Sequence, residues 1–143
     1  TYVTDFPHPA LRNRSDTILM PHIGASTAEA EENCAVMAAD QIKAFLDHGN
    51  IRNSVNFPAI ELERTTDSRL TVTNRNAPGT LSHILNVLGD ANLNVADLLN
   101  KSRGDIAYNL IDLNSTPSPD VLDSVRAVDG VINVRYLGKP CSI

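Results

Sequence analysis

No stretch of this sequence is basic enough to follow a nucleic-acid backbone. Residues 1–68 carry 5 Lys and Arg against 10 Asp and Glu, residues 69–143 carry 7 against 7, and the net charge is −5. All the excess acid lies in the front half, which argues against nucleic acid or an anionic membrane surface as partner. No apolar run approaches the roughly 18 residues that a membrane helix needs, and nothing resembles a signal peptide. The two cysteines, Cys34 and Cys141, lie far apart and in no CxxC or Cys/His ligand spacing. A reduced, cytoplasmic setting is the expectation, and no metal site is. His48, at a helix end, and His83, on the outer side of a helix, have no metal-ligand partner at useful spacing. A G-x-G-x-x-G turn occurs nowhere, and "NAPGT" is too poor in glycine to cradle phosphate.

What is there can pack. The hydrophobic fraction of 42% suffices for a core. A length of 143 residues suits one domain, or a small domain with a piece of another. The opening "TYVTDF" has no initiator Met and is already strand-like. A segment of a longer protein is therefore expected.

"TYVTDF" reads as a short β-branched and aromatic strand, closed by the two prolines of "PHPAL". "TILM" reads as a second strand, of the type buried in a parallel sheet. Pro21 and Gly24 then bend the chain, and Ser26 with Glu29 forms a capping-box pattern. A long helix follows, with Cys34, Ala38, Ile42, Phe45 and Leu46 near helical spacing and Gly49 as its C-terminal stop. "NIRNSVNFP" reads as one more strand-like piece, and the polar "AIELERTTDS" as a linker.

From Arg69 the pattern becomes regular. "RLTVTN" is a strand, and Pro78 sits where a helix starts, with Leu81, Ile84, Leu85 and Leu88 on one stripe. "LNVADLLNKS" and "DIAYNLIDLNS" are strands joined at a hairpin signal, Arg103-Gly104-Asp105. "SPDVLDSVRAV" is a second helix, and "VINVRYLG" the last strand. The order β-α-β-β-α-β is the split-βαβ pattern of ferredoxin-like domains, with two helices on one face of an antiparallel sheet.

The corner "ILMPHIGAST" places a histidine between the end of a strand and the start of a helix. Polar groups at strand carboxyl ends in α/β proteins often face a ligand crevice. On spacing alone His22 reads as a capping or packing histidine rather than a catalytic one, since a lone histidine is weak evidence.

The motif "PHIGAST-x-E-A-x-E-N" resembles the catalytic-histidine segment of the D-2-hydroxyacid dehydrogenases. "GNIRNSVNFP" is similar to the strand by which their 3-phosphoglycerate dehydrogenase branch returns to its substrate domain. "TVTNRNAPGTLSHILNVLGDANLNVADL" resembles the start of an ACT domain, a small-molecule regulatory module of such enzymes. The resemblance implies an α/β (α+β) chain: the tail of a Rossmann-type domain and a crossover helix, followed by a ferredoxin-like ACT domain. It divides the sequence into strands of an NAD-binding domain (1–26), a crossover helix and returning strand (27–58), a linker (59–68) and the regulatory domain (69–143).

The implied function is the C-terminal part of an NAD-dependent enzyme that oxidises 3-phospho-D-glycerate, opening serine biosynthesis. His22 would be the proton donor and acceptor at the substrate oxygen, a task suited to imidazole. Asp5, His22, Ile23, Gly24 and Ala25 would lie beside the nicotinamide of NAD, Gly24 giving the backbone close approach. One family feature is missing. The usual D-V-x-x-x-E-P supplies a glutamate that orients the histidine, whereas this chain reads Asp5-Phe6-Pro7-His8-Pro9, two residues shorter, with His8 where the acid is expected.

In serine-sensitive relatives the effector sits between two ACT domains, and the matching residues here are Asn74, Asn76 and Asn94, with Asn74 in place of a histidine. Asn offers both donor and acceptor to an amino acid, although Asn is also common in turns. L-Serine or another small amino acid, and self-association through the ACT domain, are the implied partners. Without the phosphate-cradling turn and the family's substrate arginine, this segment alone is expected to be inactive, and the helix 28–48 either to expose apolar surface or to take a non-native packing partner. Two other readings stay open: an amino-acid-binding or dimerisation module without catalytic ancestry, and another D-2-hydroxyacid dehydrogenase with an ACT domain.

Overall fold

The computed structural model describes residues 1–139, so Cys141 lies outside the described residues. The chain forms two compact units, Thr1–Ala39 and Asp40–Ile143, and their boundary falls within the helix α1, Ala28–His48.

In the first unit, β1 (Tyr2–Thr4) and β2 (Thr17–Leu19) pair in parallel, Tyr2 opposite Thr17 and Thr4 opposite Leu19. The loop between them holds a short 3-10 turn, Pro9–Leu11, capped by His8, whose Nδ1 accepts from the Ala10 N–H at 3.2 Å. The cap of α1 is one residue later than the sequence pattern predicts. The Ser26 N–H is still engaged in a turn to the Ile23 carbonyl at 3.0 Å, and the hydroxyl of Thr27 accepts from the Ala30 N–H at 3.2 Å. Glu29 and Glu31 occupy the first turn, where the helix dipole favours them. Along α1, Val36, Met37, Ile42 and Leu46 are all more than half exposed, so the helix does present the apolar surface expected of it.

In the second unit, β3 (Ser68–Arg75), α2 (Thr80–Asp90), β4 (Val95–Arg103), β5 (Ile106–Leu113), α3 (Pro119–Arg126) and β6 (Val131–Leu137) follow in order. The sheet order is β4-β5-β3-β6, antiparallel throughout. This is the ferredoxin-like arrangement read from the sequence. The β4–β5 hairpin turns at Gly104, whose φ is +59°, and Ser118 caps α3 by accepting from the Val121 N–H. On one sheet face, Leu70, Val72, Ile111, Leu113 and Val134 pack against Ile84 and Leu88 of α2 and Val125 of α3. Burial of this kind contributes about 25 cal/mol per Å² of apolar surface, which makes this layer the main source of the unit's stability.

The opposite face is covered as well. Ile51 and Ile60 exchange backbone hydrogen bonds of 2.8 and 3.0 Å as a lone antiparallel bridge, and both pack on Tyr108 and Leu110 of β5. "NIRNSVNFP" is therefore not a full strand: Asn53 turns through φ +51°, and only Ile51 bridges. The polar run after it is more than a spacer, since Ile60 is 1% exposed and Leu62 is partly buried.

Two arginines bind this cover to the sheet. Arg69 and Asp112 oppose each other in the β3–β5 register and are both fully buried. Their fork is bidentate, Nε to Oδ1 at 2.5 Å and Nη2 to Oδ2 at 2.8 Å. The remaining Arg69 donors reach the carbonyls of His48 and Leu62 at 2.9 Å and of Glu63 at 3.2 Å. Arg64 donates to the carbonyls of Asp47, Leu137 and Gly138. The last carbonyls of α1, which no helical N–H can satisfy, thus receive guanidinium donors, the favoured charge at that end of the dipole.

Candidate functional site

Two corners, one in each unit, hold the residues singled out from sequence with the exception of Asn94. The first follows from the parallel pairing of β1 and β2. The Met20 N–H extends the pair by donating to the Thr4 carbonyl at 2.9 Å. Asp5 and His22 therefore leave neighbouring strands at the same carboxyl end. Thr4 fixes the exit, its hydroxyl accepting from the Phe6 N–H at 3.1 Å. Asp5 Oδ2 then lies 2.9 Å from His22 Nδ1. Phe6 stands edge-on to the imidazole, with centroids 4.8 Å apart and an interplanar angle of 66°. The imidazole is 64% exposed, so its far side is open. Ile23, Gly24 and Ala25 continue the turn in exposed positions, and a Cβ on Gly24 would meet nothing within 4 Å. His8 takes no part in this cluster and is spent on capping its own turn.

The second corner lies where β3, the β4–β5 hairpin and the start of β6 meet. Asn74 is buried, at 3% exposure, and its amide is engaged. Its Nδ2 donates to the Arg75 carbonyl at 2.6 Å, and its Oδ1 accepts from Asn109 Nδ2 at 2.7 Å. Asn109 also donates to the Val72 carbonyl and accepts from Asn100 Nδ2, completing a chain of amides within the sheet. Asn76 is exposed and donates from Nδ2 to the Gly104 carbonyl at 3.1 Å. A shallow depression beside it is lined by Arg75, Asn76, Asp105, Ile106 and Ile132. Sequence reasoning missed Arg75 and Asp105. Their signal was their place flanking Asn76 and the hairpin Gly104, visible only once the β3–β5 register is known.

Asn94 is not at this corner within one chain. It precedes Val95, which pairs with Leu113, whereas Asn74 pairs with Ala107 at the other end of β5. Six residues of strand, at about 3.3 Å each, separate them by on the order of 20 Å. Among the described residues no three His, Cys, Asp or Glu side chains gather as a metal site, and no helix is long and apolar enough to cross a membrane.

No family model matches the chain. It is 35% identical over 128 residues to the D-3-phosphoglycerate dehydrogenase of Haemophilus influenzae, a match covering 89% of this chain and 31% of that protein. The protein of the same name from Dictyostelium discoideum is 34% identical over 128 residues, again covering 89% and 31%. That of Escherichia coli (strain K12) is 29% identical over 124 residues, covering 85% and 30%. Among solved structures, the ACT domain from GTP pyrophosphokinase of Chlorobium tepidum aligns with 49% of this chain and 95% of its own, at 20% identity and a TM-score of 0.40. That likeness is too distant to bear on function, and the fold assignment rests on the strand order itself. The chain spans about three-tenths of the length of the curated relatives, and over most of its own length it is homologous to proteins named D-3-phosphoglycerate dehydrogenase.

Proposed function

We propose that this chain serves as the C-terminal part of an NAD-dependent 3-phosphoglycerate dehydrogenase, carrying the proton-transferring histidine and an amino-acid-sensing ACT domain. The observation that carries the proposal is His22, exposed at the carboxyl end of a parallel strand pair and hydrogen-bonded through Nδ1. The residues beside it fit the nicotinamide end of NAD and no more. Asp5, Ile23, Gly24 and Ala25 border an open turn with room for a flat ring at Gly24, and no glycine-rich phosphate turn is in the sequence. NAD, when bound, supplies the acceptor for the hydride that leaves the substrate carbon. His22 Nε2 takes the proton of the substrate hydroxyl as the carbonyl forms, and returns it in the reverse reaction. The segment alone lacks the remaining parts of the site and is inactive in this reading.

The second corner supports an amino-acid effector. Arg75 and Asp105 offer a cation and an anion to a zwitterion, and Asn76 an amide between them. Asn74 lies behind, bracing the sheet through Asn109. Asn94 joins them only from a second copy, so the effector site forms between two chains and self-association comes with it.

The test has two arms. In the complete enzyme carrying this segment, His22→Asn is expected to lower kcat by about 10²–10⁴-fold with an unchanged melting temperature; unchanged turnover would end the catalytic reading. For the chain itself, L-serine at a hundred times its Kd is expected to stabilise by about 2.7 kcal/mol, read as a rise in Tm. Asn76→Ala and Asn94→Ala should each abolish the rise. Asn74→Ala is a poor control because it also strips Asn109 of an acceptor. No rise with L-serine in a dimeric sample would leave this domain as an assembly element.

A further inference from the structure

We infer that Asp5 is the positioning residue for His22, filling the place of the carboxylate absent from position 8. The inference rests on the reading of His22 as the proton-transferring group. A carboxylate only accepts hydrogen bonds. With Asp5 Oδ2 at 2.9 Å from Nδ1, that nitrogen carries the hydrogen, and the neutral ring keeps its lone pair on Nε2. Nε2 is then the atom free to take a substrate proton. The geometry is set by local sequence. Thr4 pins the exit of β1 through its hydroxyl, Asp5 comes next and fixes the tautomer, and Phe6 stands edge-on to the ring at 4.8 Å. Three consecutive residues of "TDF" thus orient one imidazole, while His8 is engaged with the Ala10 N–H and supplies no negative charge. When the ring takes the proton and becomes a cation, Asp5 is the adjacent counter-charge.

Long-range ¹H–¹⁵N NMR of the histidine side chains reads this directly, at alkaline pH where imidazoles are neutral. The expected spectrum for His22 is that of the Nδ1–H tautomer, and Asp5→Ala is expected to convert it to the Nε2–H form of free histidine. The same tautomer in both proteins would overturn the inference. Asp5 is 45% exposed at its side chain, so the fold should survive the change, which an unchanged melting temperature verifies. In the complete enzyme, Asp5→Ala is expected to lower kcat on the order of a hundredfold with KM little changed, as for a misaligned catalytic group. Asp5→Glu should recover part of it. If His22→Asn abolishes turnover and Asp5→Ala does not, the inference falls while the reading of His22 stands. If His22→Asn leaves turnover intact, the reading itself falls, whatever the tautomer.

Discussion

Asp112→Ala is expected to cost the second unit about 3–5 kcal/mol, enough to threaten the fold of a small domain. The reason is what it leaves behind. Arg69 has a fully buried side chain, and without Asp112 its charge has only backbone carbonyls for company. Arg69→Met with Asp112→Leu avoids the unpaired buried cation and should cost less, but not nothing, because the carbonyls of His48, Leu62 and Glu63 and the Thr65 N–H lose their partners. The pair also sets an acid dependence. Burial pushes the Asp112 carboxyl up, but the hydrogen bonds from Arg69 and Thr65 outweigh it and hold the group below its ordinary value. A carboxyl whose folded value lies below its unfolded value of about 3.9 adds stability above that pH and loses it as the pH falls through the folded value. Urea midpoints of the wild type should therefore drop below about pH 4, and those of the double variant should drop less. A cost under 1 kcal/mol for Asp112→Ala at neutral pH would mean that the charges reach water and that the cover over this face is loose.

That cover is the part of the fold the sequence concealed. The helix stripes, the hairpin at Gly104 and the strand order followed from periodicity and turn chemistry, which are local. The second face of the sheet is a long-range matter. Its one local trace is β5, where Ala107, Tyr108, Leu110, Ile111 and Leu113 are apolar on both parities instead of alternating, the mark of a strand buried on both sides. The residues that answer it, Ile51 and Ile60, sit in a run that reads as an edge strand and a polar linker. Arg69 and Asp112 likewise look like ordinary surface charges until the register sets them opposite each other. At the first corner His22 and its turn were singled out by resemblance, but the Asp5 contact was not legible, because it depends on the parallel pairing of two three-residue strands. The separation of Asn94 from Asn74 was not legible either, because it follows from which end of β5 each neighbouring residue pairs with.

Gly49→Ala is expected to cost about 2–5 kcal/mol, in a position that makes no side-chain contact at all. Gly49 ends α1 at φ +72°, where an L residue loses roughly 1–2 kcal/mol. The larger part is space. A Cβ there would collide with Cγ2 of Thr71 and press on Leu110 and Leu137. Thr71 is buried and β-branched on the central strand β3, so it cannot swing aside. Forcing a methyl into such a contact typically costs about 1–3 kcal/mol. The shift would also stretch the bond from the Tyr108 hydroxyl to the Gly49 carbonyl, now 2.9 Å. Gly104→Ala supplies the control: φ is +59°, but an added Cβ meets nothing within 4 Å, so only the backbone cost of about 1–2 kcal/mol should appear. The difference between the two variants in urea unfolding therefore isolates how tightly the end of α1 is seated on the sheet. Equal costs would mean that the helix end rests there without close packing, and that the Ile51 and Ile60 contacts with the guanidinium bonds of Arg64 and Arg69 hold the second face.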